Sequence, residues 1–319
     1  MRSLLAAPLL DSEGCLGMIV LSAKSRLHPF QEDDLELLMA LAEETARRRL
    51  LDHELDLARD IQMAMLPKAF PHLGGIDVSA ELRPARTVGG DLYDVMADGE
   101  RVWLLVGDVS GKGVGAALFM AVTKTLFRAI APGSASVAEA VERMNRELAR
   151  DNERAMFVTA FAARLDLATG ELEYVNAGHN PTYRLEAGGA VAALPGPVDP
   201  ALGAVEVHQY RSARLRLARG DALLLYTDGV VEARSAPPEA VATLGLAGKA
   251  APPPAAVAVP SAVEEELHTL RLESYLEGCG GKTAERIVQG LLERLDAFVG
   301  DAPQYDDVTI LALRWLGPS

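Results

Sequence analysis

The sequence predicts an α+β fold, and three observations carry that expectation. Between residues 76 and 235, short strand-like apolar runs outnumber helical stretches, unlike the regular alternation of a parallel sheet. The run AFAARLDLATGELEYVN alternates on both sides of Ala168-Thr169-Gly170, the pattern of a β-hairpin. The composition, 49% hydrophobic and 24% charged, is that of a folded globular chain, and 319 residues allow about two domains.

Taken in order, LLAAPLL and LGMIVLSA read as two strands joined by the turn residues Asp11-Ser12-Glu13-Gly14. Two strands alone are marginal, so they need a further partner, and the start at Met1 reads as a truncation. A helix follows. Pro29 precedes it, and Glu32, Asp33 and Asp34 crowd its first turn, where the helix dipole favours negative charge. No Gly or Pro interrupts residues 35–65. Leu38, Leu41 and Thr45, then Leu51, Leu55, Ala58 and Met65, recur at spacings of three, four or seven. This predicts one amphipathic helix about 45 Å long, or two in series, ending at Pro67. Arg47-Arg48-Arg49 interrupts the seam, which is expected to pack in a homodimeric coiled coil or on its own domain.

Further strands are expected at 76–82, 102–108, 157–166, 171–176, 182–186 and 221–227, with helices at 114–130 and 136–151. Residues 236–262 hold six prolines and ten alanines, with Glu239 and Lys249 the charged residues, and read as an Ala/Pro-rich linker or insertion. Helices at 263–277 and 282–299 and a last strand, DVTILALRW, complete the chain.

Lys plus Arg number 31 and Asp plus Glu 45, a formal net charge of −14. That weighs against binding nucleic acid or an anionic membrane surface, both of which need basic residues. It suits carboxylates that hold divalent cations. Cys15 and Cys279 form neither a disulfide framework nor a zinc spacing. No targeting segment and no uncharged apolar run of membrane-spanning length stands out, so a cytoplasmic protein is expected.

Aspartates in turns at strand ends carry the chemistry. Gly89-Gly90-Asp91, then Gly107-Asp108-Val109, Thr227-Asp228-Gly229 and Tyr305-Asp306-Asp307 each adjoin an apolar strand. Such carboxylates can converge on one rim, where repulsion is costly unless cations separate them. Carboxylate and water ligands suit Mg²⁺ or Mn²⁺. GDVSGKG fails the spacing of a phosphate-binding P-loop, and GKGVG fails G-x-G-x-x-G, which disfavours a kinase or nucleotide cyclase.

Together these motifs are specific. ARDIQ with Leu66-Pro67, VGGDLYD (88–94), GDVSGKGVGAAL (107–118), MFVTAFAARLD (156–166), NAGHNP (176–181), GDALLLYTDGVVEA (220–233) and YDDVTILALR (305–314) make residues 58–314 resemble the catalytic domain of bacterial SpoIIE/RsbU-type PP2C (PPM) phosphatases. The resemblance implies an α-β-β-α sandwich of two antiparallel sheets flanked by helices. It implies Asp91, Asp108, Asp228 and Asp306 as catalytic metal-binding carboxylates, the Val109 carbonyl beside Asp108, and Asp307 as a residue supporting them. Two Mn²⁺ or Mg²⁺ ions would then activate water for in-line attack on phosphorus, with Asp108 bridging them. Lys112 reads either as a cation that reaches a phosphate or as a solvated loop cation. Eukaryotic members carry a His where Ser110 stands, and His179 reads as a loop histidine, so the leaving-group acid is unassigned.

Residues 1–46 resemble the end of a GAF sensor domain. The expected organisation is that C-terminal GAF-like remnant, a helical, coiled-coil-like linker at 47–66, and a phosphatase domain at 67–319 with the insertion at 236–262. The resemblance points to a protein serine/threonine phosphatase whose substrate is a phosphoprotein such as an anti-sigma-factor antagonist, with a homodimer formed through the linker. Two readings compete: a non-catalytic dimeric scaffold with a phosphatase fold, and a two-metal hydrolase of small phosphoesters.

Overall fold

The structure, a computed structural model, describes residues 4–10, 14–22, 30–70, 74–235 and 261–318. The chain forms two compact units, residues 1–63 and 64–319. In the first, β1 (Leu4–Leu10) pairs antiparallel with β2 (Cys15–Ser22), and α1 (Glu32–Met65) is one uninterrupted helix. The turn expected at 11–13 lies outside the described residues. Ala7 and Leu9 pack against Leu38, Ala42 and Ala46, where the alanines let the sheet approach. This corrects the single stripe expected of the helix. Leu38 faces the sheet, whereas Leu41, about 100° around the helix from Ala42, is exposed.

The second unit holds β3 (Ile76–Arg83), β4 (Leu92–Asp98), β5 (Arg101–Val109), α2 (Val114–Ile130), α3 (Val137–Ala149), β6 (Val158–Asp166), β7 (Glu171–Ala177) and β8 (Tyr183–Leu185). It continues with β9 (Val191–Ala193), β10 (Val198–Asp199), β11 (Ala213–Arg216), β12 (Ala222–Tyr226), α4 (Ser261–Leu276), α5 (Ala284–Val299) and β13 (Val308–Trp315). One sheet runs β10-β7-β6-β5-β4, with β11 also on β7; the other runs β3-β13-β12-β8-β9. Pairing is antiparallel except between β10 and β7. Residues 236–260 of the expected insertion lie outside the described residues, and Ser261 and Ala262 already belong to α4.

The two sheets carry their helices on opposite outer faces. Trp103 and Leu105 of β5 pack with Met120 and Phe127 of α2 and Met144 of α3. Leu224 of β12 and Ile310 of β13 pack with Leu276 of α4 and Ile287 and Leu291 of α5. The alternate residues Leu104, Val106, Leu223, Leu225, Leu311 and Leu313 are buried too, on the opposite strand faces. Burial on both faces is why these strands read as continuous apolar runs. The expected α-β-β-α sandwich is the observed architecture.

Strand β4 was not marked by the sequence pattern, and tertiary pairing explains it. Asp94 is fully buried within it and receives Lys124 Nζ at 2.6 Å and Arg128 Nη2 at 2.8 Å from α2. Burial pushes its carboxyl up, but hydrogen bonds from Arg128 and Lys124 overcome this and leave it below the usual range. Residues 114–133 are long and apolar enough to cross a membrane, yet α2 packs its buried stripe on the sheet and pins it through Lys124. The edge strands β9, β10 and β11, two to four residues each, also escaped the sequence pattern.

Candidate functional site

Each sheet brings carboxylates to a shared edge of the sandwich. Asp91 immediately precedes β4 and Asp108 lies near the end of β5. Leu92 pairs with Gly107, so the two aspartates leave the ladder side by side. In the other sheet, Asp228 follows β12, and Asp306 and Asp307 precede β13, its hydrogen-bonded neighbour. Hydroxyls from that sheet hold Asp91: Thr227 Oγ1 and Thr309 Oγ1 donate to its Oδ2 at 2.7 and 2.6 Å. Asp307 works in the reverse direction. It accepts the Ala85 and Gly90 backbone N–H groups at 2.8 Å each and so anchors the loop leading to Asp91.

The twin glycines of that loop permit the approach. A Cβ on Gly89 would land on the Asp307 carboxylate, and one on Gly90 would stand 2.8 Å from the Val109 carbonyl oxygen and 3.4 Å from Asp108 Oδ1. The Val109 carbonyl and the Asp108 carboxylate therefore border one small space.

Crowding shows in the acidities. Burial, then the charges of Asp108 and Asp307, hold the Asp91 carboxyl well above the usual range. Burial, then Asp228 and Asp306, push Asp108 to about 7. Burial, then Glu232 and Asp306, push Asp228 to about 6. Asp91 and Asp108 lie within hydrogen-bonding reach of each other. These aspartates thus sense one another's charge across both sheets.

An oxygen-only donor set under this repulsion fits Mg²⁺ or Mn²⁺. Among the described residues, no three acidic, imidazole or thiol groups stand close enough to form a closed cage.

The family model for Stage II sporulation protein E (SpoIIE) matches residues 98–316, more than half of the chain. The chain belongs to the SpoIIE family. The GAF domain model matches residues 1–48. Protein IcfG of Synechocystis sp. is 31% identical over 234 residues, 65% of this chain and 36% of that protein. Phosphoserine phosphatase RsbU of Bacillus subtilis is 28% identical over 192 residues, 57% of this chain and 54% of that protein. The chain thus spans about a third to a half of the length of these relatives. The RsbU and RsbW domains of a Mycobacterium tuberculosis protein superpose with a TM-score of 0.65 at 27% identity, covering 80% of this chain and 64% of that one. The SiaA-PP2C domain of Pseudomonas aeruginosa gives 0.68 at 23%, covering 85% and 99%.

Other residues of this SpoIIE-family site have more than one partner. Lys112 Nζ donates to Asp306 Oδ2 at 2.7 Å and to the Tyr305 carbonyl at 3.3 Å. It is half-exposed and already engaged by the rim, instead of standing free for a phosphate. Ser110 Oγ accepts the Phe157 N–H at 3.0 Å and ties its loop to the segment before β6. His179 is buried, its Nδ1 lies 3.0 Å from Thr159 Oγ1, and burial lowers its pKa to about 4. A neutral, buried imidazole is a loop anchor, as its motif suggested. Sequence reasoning missed Thr227 and Thr309 as the groups that orient Asp91; their signal was a Thr within two residues of an Asp in TDG and DDVT.

Proposed function

We propose that the chain is a metal-dependent protein serine/threonine phosphatase, acting on phosphoserine or phosphothreonine of a bacterial signalling protein, with an anti-sigma-factor antagonist as the model substrate. The observation that carries this reading is that Asp91, Asp108, Asp228 and Asp306 stand at adjoining strand ends of two sheets, where burial and neighbouring charge raise the pKa of Asp91, Asp108 and Asp228. RsbU, one of the similar proteins, is a phosphoserine phosphatase by name.

In this reading the four carboxylates and the Val109 carbonyl hold two Mn²⁺ or Mg²⁺ ions. Bound there, such ions supply Lewis acidity toward the phosphoryl oxygens and lower the pKa of water. The protein's part is preorganisation. Thr227 and Thr309 fix the Asp91 oxygen, and Asp307 fixes the loop beneath it. Lys112, held at the rim by Asp306, would stand beside a bound phosphoryl group. Phosphate release from a phosphoserine peptide tests the reading: turnover that requires Mn²⁺ and disappears with EDTA supports it, and turnover that persists in EDTA removes the metal.

We also propose a cytoplasmic protein with a GAF-like 1–46, a helical linker at 47–66 and a phosphatase domain at 67–319; the exposed Leu51, Leu57 and Ile61 of that linker support a homodimer formed through it. Light scattering of Leu51→Glu/Leu57→Glu against the parent chain reads this directly. A non-catalytic scaffold is favoured by one observation, the Lys112–Asp306 ion pair, which already satisfies a rim carboxylate. Calorimetric Mn²⁺ binding separates the two, because the scaffold binds none.

A further inference from the structure

Beside the carboxylate rim lies a cavity of about 290 Å³. Gly229 and Tyr305, which line it, are the chain neighbours of Asp228 and Asp306, so it opens within about one residue spacing of the rim. Its floor is apolar, from Leu295, Val299 and Val308. Its polar wall is mostly committed. Arg83 Nη1 pairs with both Asp296 oxygens at 2.9 and 3.0 Å, and Gln304 Nε2 donates to the Arg83 and Asp306 carbonyls at 2.7 Å each.

Arg234 differs. It is exposed, its guanidinium lies 3.7 Å from the Tyr305 ring centroid, and among the described residues no carboxylate pairs with it. The same ring takes Lys112 Nζ at 5.1 Å, and Lys112 bonds Asp306. Tyr305 therefore links an uncommitted cation in the cavity to the cation at the rim. Stacking holds the Arg234 plane in place, which preorganises its donors for a carboxylate.

Resting on the phosphatase reading above, we propose that this cavity receives an acidic side chain of the phosphoprotein substrate, within about two residues of the phosphorylated serine, and that Arg234 is its ion-pair partner. Charge argues for an acid. The chain carries a net −14, so an acidic segment is repelled by most of the surface and needs a local cation to dock next to four aspartates. Geometry argues for the spacing. An extended peptide rises about 3.3 Å per residue and returns a side chain to the same side every second residue. The long apolar stem of Glu would cover the floor while its carboxylate meets the guanidinium.

The test uses the full chain with Mn²⁺, p-nitrophenyl phosphate, and phosphoserine peptides that carry Glu, Gln, Lys or Leu two residues from the phosphoserine on each side. The parent chain should prefer the Glu peptide roughly tenfold in kcat/KM, mostly through KM. Arg234→Gln should erase that preference, and Arg234→Glu should reverse it toward a Lys peptide. Hydrolysis of p-nitrophenyl phosphate, which has no flanking side chains, should stay within about twofold in both variants, and this reports that they fold. Equal use of the Glu and Gln peptides by the parent chain overturns the inference alone. So does a preference that survives in Arg234→Gln, or a stronger preference for a Leu peptide, which would assign the cavity to an apolar side chain. No hydrolysis of any of these substrates overturns the phosphatase reading, and this inference with it.

Discussion

Helix α1 runs for 34 residues and leaves Leu37, Leu41, Leu51, Leu57 and Ile61 exposed, whereas α3, with 13 residues, buries Val137, Val141, Met144 and Leu148. Both follow from unbroken helical periodicity. Only α3 has a complete sheet to cover, and its Ser136 cap accepts the Glu139 N–H while Glu139 returns to the Ala135 N–H. Among the described residues, the first unit offers α1 two strands, which pack on Leu38, Ala42 and Ala46. Periodicity thus identifies a helix, and the area of the facing sheet decides how much of its apolar surface is used.

The contrast can be broken most severely in the unit that buries its chemistry. Asp108→Asn should lower Mn²⁺-dependent turnover by about 10³-fold or more, as phosphate release would show, because it removes a charge from the centre of the rim. Phe127→Ala, in the core beneath α2, should cost about 3–5 kcal/mol in denaturant unfolding. A cost under about 1 kcal/mol would mean that the sheet–helix layer is not the main source of stability.

Acidity separates the units next. The folded pKa of Asp108, about 7, lies above its ordinary 3.8, so its contribution to stability is fully present at low pH and is lost as pH rises through 7. The melting temperature in EDTA should therefore fall between about pH 4 and 7 and level off above, and Asp108→Asn should flatten that fall. The same protons compete with cations, so Mn²⁺ affinity should drop by up to roughly tenfold per proton displaced for each pH unit between 7 and 6. Calorimetry in buffers of different ionisation enthalpy counts those protons. A smaller effect is expected from Lys112→Ala, which frees Asp306 and should tighten Mn²⁺ binding severalfold while slowing turnover. Least of all should come from Leu57→Ala on α1, within about 0.5 kcal/mol in dilute protein. A larger cost that grows with protein concentration would show that a second copy covers that face.

Much of the site could be read before the fold. Strands 102–108 and 221–227 were legible because burial on both faces makes them continuous apolar runs, and their aspartates stood out as charges at the ends of such runs. Strand β4 was not legible, since Asp94 in its middle looks unfit for a sheet until Lys124 and Arg128 arrive from α2. Asp307 could be placed next to Asp306 but not given its task, because its partners Ala85 and Gly90 lie more than 200 residues earlier. Lys112 was expected to face a phosphate or solvent, and its ion pair with Asp306 depends on a contact across 194 residues.

Local chemistry along the chain was enough to set the α+β class, the long α1 helix and the strand-end aspartates. Those properties depend on neighbours a few residues away, through periodicity, turn residues and the charge of each side chain. Folding alone settled that Thr227 and Thr309 of the second sheet hold Asp91, that burial and neighbouring charge push Asp108 up, which face of α1 is covered, and that Arg234 lies on Tyr305 with no carboxylate paired to it among the described residues. These depend on distance and burial between segments far apart in sequence, where Coulomb energy and desolvation vary steeply over a few ångströms.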